Sequence, residues 1–132
     1  MDLEYYRDYA LKKEGATEGT PFGDDTLVYK VYGKIFMLMS FDTPLQINLK
    51  CDPELAIELR EKYESIIPGY HMNKTHWNTI IIDGSVPSRE ILKLIDHSYS
   101  LVLKSIPLKK RNLWKTFKNI SNITNNFDIL LS

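Results

Sequence analysis

Apolar residues recur along the chain with two periods, and the switches between those periods mark out its elements. Across residues 2–14, Leu3, Tyr6 and Ala10 fall at i, i+3 and i+7, with Tyr9 beside them. Glu4, Arg7, Asp8 and Lys12 occupy the other positions, as an amphipathic helix requires. Asp2 suits its N-cap and Gly15 its stop. Residues 15–26 contain Gly15, Gly19, Pro21 and Gly23 and read as turns. Residues 27–31 and 35–40 then read as two strands, with Tyr32-Gly33 as a tight turn between them. Thr43-Pro44 breaks the second strand. Residues 46–50 alternate, with Ile47 and Leu49 on one face and Gln46, Asn48 and Lys50 on the other. This pattern predicts a three-strand meander with one face open to solvent.

Asp52-Pro53-Glu54 combines an N-cap acid, a proline at the first turn and a second acid at the positive end of the dipole. The helix it starts carries Leu55, Leu59 and Tyr63 in one stripe, and Pro68-Gly69 is expected to end it. Residues 70–73 and 77–82 are two further strand candidates. Asp83-Gly84 turns the chain into the longest helix, residues 88–105, where Ile91, Leu94, Ile95, Tyr99 and Val102 keep the helical period until Pro107. The order is helix, three strands, helix, two strands, helix. Without β-α-β alternation, the economical packing is an antiparallel sheet covered by helices on one face, an α+β fold. Beyond Leu108, Leu113, Phe117 and Ile120 recur at helical spacing, followed by an Asn-rich stretch and an apolar end. Residues 1–108 therefore read as the domain, and 109–132 as a basic, Asn-rich extension, either part of that domain or a tail.

Composition narrows the function classes. At 132 residues, 43% apolar and 26% charged, the chain has the make-up of one ordered domain. Its longest unbroken apolar run is residues 35–39, far short of the ~20 residues that span a bilayer. The polar, acidic first segment lacks the features of a secretory or transit signal. Cys51 is the lone cysteine, which excludes an intrachain disulfide and a cysteine-based zinc site; the cytoplasm is the expected compartment. The formal net charge is zero, but it is unevenly spread. Residues 1–66 hold 8 basic and 13 acidic side chains, and residues 67–132 hold 9 and 4. Lys104, Lys109, Lys110, Arg111, Lys115 and Lys118 follow one another with no acid among them, either a local attraction for phosphate or an ordinary solvated face.

The densest chemistry lies in PGYHMNKTHWNT, residues 68–79. Strand alternation sets Trp77 and Thr79 on one face and Asn78 and Ile80 on the other. A surface carrying Asn73, Lys74, His76 and Asn78 could hold a phosphate or a base edge. A buried Trp with polar groups bracing a tight turn would show the same residues. Preceded by NLKCDPE and followed by DGSVP and DHSY, and with TPFGDDTLVYKVYGKIF upstream, this segment resembles the MmcQ/YjbR family from about Gly15 to Leu108. The resemblance implies an α-β(3)-α-β(2)-α two-layer fold, likened both to secretion chaperones and to the frataxin-like CyaY fold. It also implies DNA binding, with paired β-hairpin wings as the contact surface. The extension after Leu108 departs from that pattern.

Other chemistries fare worse. His71 and His76 are five apart, on opposite faces of an extended segment, and His97 is distant, so no metal site is expected. No cofactor motif occurs: G-x-S-x-G, H-E-x-x-H and a phosphate-cradling glycine loop are all missing. Cys51 sits at a helix start, which lowers a thiol's pKa, but Asp52 beside it opposes ionisation. Asp96 and His97 are adjacent on a helix and make a poor dyad. No catalytic residue, and no enzyme, is expected. For DNA, Lys50, Lys74 and His76 would meet phosphates and Asn73 and Asn78 would hydrogen-bond. Trp77 would stack if exposed, and Lys109, Lys110 and Arg111 would add a non-specific grip. The alternative is a protein-interaction or small-ligand module, with the extension docking a protein partner.

Overall fold

The computed structural model describes residues 3–69 and 72–131, with side chains to residue 120. The proposed cap Asp2 and the pair Tyr70 and His71 lie outside the described residues. In chain order the elements are α1 (Leu3–Leu11), β1 (Ala16–Gly19), β2 (Thr26–Val31), β3 (Lys34–Ser40), β4 (Gln46–Lys50), α2 (Pro53–Lys62), β5 (Ile66–Pro68), β6 (Trp77–Ile81), α3 (Ser88–Lys104) and α4 (Leu108–Leu131). The six strands form one antiparallel sheet in the order β1-β2-β3-β4-β6-β5. The architecture is α+β.

Two strands escape the sequence pattern. Residues 16–19 form the edge strand β1 and not a turn. This strand is held by its ladder to β2 and by Glu18, which accepts from Arg7 of α1 and from the Tyr29 hydroxyl. Helix α2 ends at Lys62, well before Pro68, because Tyr63 turns extended at φ −126° and ψ 121°. Ile66, 2% exposed, then anchors β5 against β6. The strand expected over residues 70–73 is not seen in its described part, where Met72 and Asn73 are in a loop.

The remaining elements form for the expected reasons. The β2–β3 hairpin closes through Tyr32 and Gly33, at φ 45° and 86°, the two positive values of a type I′ turn. The Asp52 carboxylate caps α2 by accepting from Leu55 N at 3.2 Å. Tyr6, Ala10, Met37, Met39, Ile47, Ile80, Ile91 and Ile95 belong to one core between the sheet and the helices α1, α2 and α3. Helix α3 lies across β3 and β4. Ser98 fixes this crossing: its hydroxyl donates to Phe36 O at 2.6 Å and accepts from Lys50 N at 2.9 Å. Tyr9 and Lys13 both bond Asp96, tying α1 to α3.

The start of α4 docks through a face the apolar stripe does not indicate. Leu113, Phe117 and Ile120 are 50%, 66% and 53% exposed. Contact is made instead by Trp114, edge-on to Tyr32 at 5.5 Å, by Lys115, paired with Glu14, and by Arg111. Among the described residues no helix is long and apolar enough to cross a membrane.

Candidate binding site on the helix-free sheet face

Cross-strand register arranges the face opposite the helices in three rows. The middle row runs Val28, Leu38, Asn48, Thr79 and Ile67. Two residues along each strand toward the chain reversal at residues 41–45 lie Thr26, Ser40, Gln46 and Ile81. Two residues from the middle row toward the Tyr32-Gly33 turn lie Lys30, Lys50 and Trp77, with Lys50 paired to Trp77 and Lys30 paired to Ile35, three residues from Leu38 because the β2–β3 register shifts between Tyr29 and Lys30. Successive rows are about 7 Å apart, two strand residues at 3.2–3.4 Å each.

This face carries no helix, yet its centre is dry. Val28, Leu38 and Trp77 are 1%, 4% and 7% exposed, with Ile35 and Met72 packed against them. Asn48 is buried too, where alternation placed it on a solvent face; its carboxamide oxygen accepts from Thr79 Oγ1 at 2.5 Å. Two chain segments border these rows. One carries Phe22 and Asp25, and the other carries Met72. Between them is a groove of about 420 Å³ with Leu38, Asn48 and Ser40 at its floor. The sequence offered no signal for which loops fold over which strands, so Phe22, Asp25, Ser40, Asn48 and Met72 were not singled out as a site.

The residues of 68–79 divide between bracing and solvent. Asn78 points to the helix side, 3% exposed, accepting from Arg60 Nε at 2.6 Å and donating to Ala56 O at 3.3 Å. Arg60 Nη2 also reaches Lys74 O and Trp77 O. Gly69 N donates to Trp77 O at 2.8 Å, and Cys51 N donates to His76 O at 2.7 Å. The Asn73 carboxamide oxygen accepts from Thr75 N at 2.8 Å. Trp77 and Asn78 are therefore interior residues, and the single surface of Asn73, Lys74, His76 and Asn78 does not form. The side chains of Asn73, Lys74 and His76 are exposed, and Lys50 is half-buried on the helix-free face. Lys109 and Lys110 are exposed on α4, whereas Arg111 is engaged with Leu103 O at 2.6 Å and Ile106 O at 3.0 Å.

The other chemical candidates have settled roles. Cys51 is 4% exposed, and burial, with Asp52 adding to it, pushes its thiol up to about 11. At neutral pH it is a protonated, unreactive thiol. His97 Nε2 accepts from Asp52 N at 3.1 Å, while Asp96 faces Tyr9 and Lys13. The two groups thus serve different neighbours. Among the described residues no three His, Cys, Asp or Glu side chains gather as a metal would need.

Charge along the helix-free face is ordered. Asp24, Asp25 and Asp42 flank the Thr26–Ser40 row. Lys30 and Lys50 occupy the opposite row, and Lys74 and His76 lie in the loop leading into β6. None of these groups is in an ion pair among the described residues.

A family model described as YjbR matches residues 11–101. The Escherichia coli K12 protein named "Uncharacterized protein YjbR" is 32% identical over 114 residues, covering 86% of this chain and 97% of its own length. "Uncharacterized protein YyaQ" of Bacillus subtilis is 47% identical over 55 residues, 42% of this chain and 46% of its own. The crystal structure of Deinococcus radiodurans protein DR2400, a DUF419 domain, superposes with a TM-score of 0.79 at 36% identity, covering 86% of this chain and 87% of its own. A Pseudomonas syringae crystal structure gives 0.69 at 33% identity, covering 77% and 99%.

Proposed function

The chain belongs to the YjbR family, and we propose that it is a non-catalytic binding module whose ligand site is the helix-free face of its sheet. One observation carries this reading: the groove of about 420 Å³ between the Phe22–Asp25 segment and Met72. Sheet faces without helices are normally solvated and polar. Here a floor of mixed polarity is bordered by loop residues, and the volume lies within the ~300–1,000 Å³ of small-ligand sites. A few polar groups, Asn48, Ser40 and Asp25, converge on it.

The test is a titration of the full chain with indole, an apolar probe, followed by amide and methyl NMR shifts. Shifts should gather at Leu38, Ser40, Asn48 and Met72, and Ser40→Trp, which fills the groove, should abolish them. Shifts scattered over the surface, or none at millimolar indole, would overturn the reading.

Weak duplex DNA binding is a second reading, supported by Lys30, Lys50 and Lys74 at one end of the face, in no ion pair among the described residues, and by exposed Lys109 and Lys110. Phosphate contacts release counterions, so Lys74→Ala should weaken binding to all sequences alike and reduce the salt slope by about one. Labelled duplex that stays free at ~50 mM salt with micromolar protein would remove this reading.

A further inference from the structure

We propose that the groove takes a short zwitterionic peptide in extended form, its amino end at Asp25 and its carboxyl end toward Lys50 and Lys30. This rests on the helix-free face being the ligand site and names what that site accepts. Three properties of the face point to it.

The first is polarity. Asp24, Asp25 and Asp42 stand at one end and Lys30, Lys50 and Lys74 at the other, all without ion-pair partners among the described residues. A face that is neutral in sum but dipolar along its length disfavours a polyanion or a polycation lying along it, because half of either would meet like charge. A ligand with opposite charges at its two ends matches both.

The second is length. The groove covers the Thr26–Ser40 row and the middle row, and the Lys50 row lies one row beyond it, four strand residues or about 13 Å from the first at 3.2–3.4 Å each. That span is too long for a free amino acid and equals an extended segment of about four residues.

The third is the chemistry of the middle. Leu38 and Met72 offer an apolar seat for a side chain, and Met is suited to moulding around varied shapes. The Asn48 oxygen accepts from Thr79 Oγ1, and the residue lines the groove with its amide as a further donor group. An amide donor lining an open groove can meet a ligand carbonyl. The Ser40 and Thr26 hydroxyls can serve the peptide N–H groups as acceptors. A peptide supplies carbonyls, N–H groups, apolar side chains and opposite terminal charges in this order.

The experiment titrates the full chain with Ala-Leu-Phe-Ala in four forms: free, N-acetylated, C-amidated and doubly capped. The free peptide should shift Ser40, Asn48 and Met72, and each cap should weaken it about two- to fivefold at low salt, the range of an exposed charge pair. Asp25→Asn should weaken the free peptide yet leave the N-acetylated one unchanged. Lys50→Gln should do the same with respect to the C-amidated one, since a variant and a cap that remove the same pair are not additive. Four peptides of equal affinity, or indole binding without peptide binding, would overturn the dipolar peptide while the groove remains a ligand site. Failure of both indole and every peptide to shift the groove residues would overturn both.

Discussion

Arg60 and Asn78 are joined between α2 and β6 by a 2.6 Å hydrogen bond from the guanidinium Nε to the carboxamide oxygen. Through it one side chain holds a buried amide and, with Nη2, the carbonyls of Lys74 and Trp77. Arg60→Ala removes the acceptor's charged partner inside the fold and should cost ~1–3 kcal/mol. Urea unfolding measures this. Amide exchange at His76, whose carbonyl neighbours are released, should quicken more than exchange at Ile47 in the central strand β4. Equal acceleration at both sites would show Arg60 acting on global stability alone.

Gly69 tests the same brace from the other side. A Cβ built there would lie 2.7 Å from Trp77 Cβ and 2.9 Å from Trp77 O, closer than side chains pack. Both neighbours are held in the sheet, so Gly69→Ala must push β6 aside. It is expected to cost ~1–3 kcal/mol, as overpacking of a filled site does. A melting temperature equal to that of the wild type would mean that the segment shifts freely.

Ile95 is wholly buried among the core residues under α3. Ile95→Ala deletes buried methyl and methylene groups and leaves a cavity, at ~2–5 kcal/mol. A loss below ~1 kcal/mol, read from the urea midpoint, would mean that the core collapses around the site.

The helices α2 and α3 and strands β2, β3, β4 and β6 were legible because their signals are local. Pro53 after Asp52, glycine at the positive φ of Gly33, and the apolar period from Ile91 to Val102 act within a few residues. Strands β1 and β5 were not, because four and three residues are too few to show a period, and each is fixed by distant partners. Glu18 is held by Arg7, and Ile66 by the core. For the candidate site the limit is sharper. Trp77, Asn78 and Arg111 carry the chemistry of recognition in sequence, and all three are engaged within the fold. The groove residues Ser40, Asn48 and Met72 look ordinary until register and loop placement bring them together. Lys30, Lys50 and Asp25 likewise gain meaning only from the rows they occupy.

Arg111 accepts the task of finishing α3: its guanidinium donates to Leu103 O and Ile106 O, carbonyls at and just past the helix end. Trp114 covers Tyr32 and stands near Gly33 of the hairpin turn. Ending the chain after Pro107 removes both and exposes Tyr32, so the melting temperature should fall. The double change Leu113→Ser with Phe117→Ser, on the exposed face, should leave it unchanged. An unaltered melting temperature in the shortened chain would show that α4 contributes nothing to the domain.

Glu18 links acid sensitivity to one strand. Its carboxylate accepts from Arg7 Nε at 2.7 Å, Arg7 Nη2 at 3.1 Å and the Tyr29 hydroxyl at 2.7 Å. The Arg7 hydrogen bond is the main cause that holds this carboxyl below its ordinary 4.5, against the opposing effect of burial, with Tyr29 adding to Arg7. Burial first, then Glu18, raises the Tyr29 phenol, which stays a protonated donor. A carboxyl with a lowered value in the folded state stabilises fully above its ordinary range. That contribution is lost as pH falls from about 4.5 through the lowered value. Glu18→Gln keeps an acceptor for Tyr29 but cannot ionise, so the gap in urea midpoint from the wild type should be steady above about pH 6 and shrink below 4.5. Glu18→Ala leaves the hydroxyl of the buried Tyr29 without its acceptor and should cost ~1–3 kcal/mol at neutral pH. A gap between wild type and Glu18→Gln that stays constant from pH 6 to pH 3 would place the acid response elsewhere in the molecule.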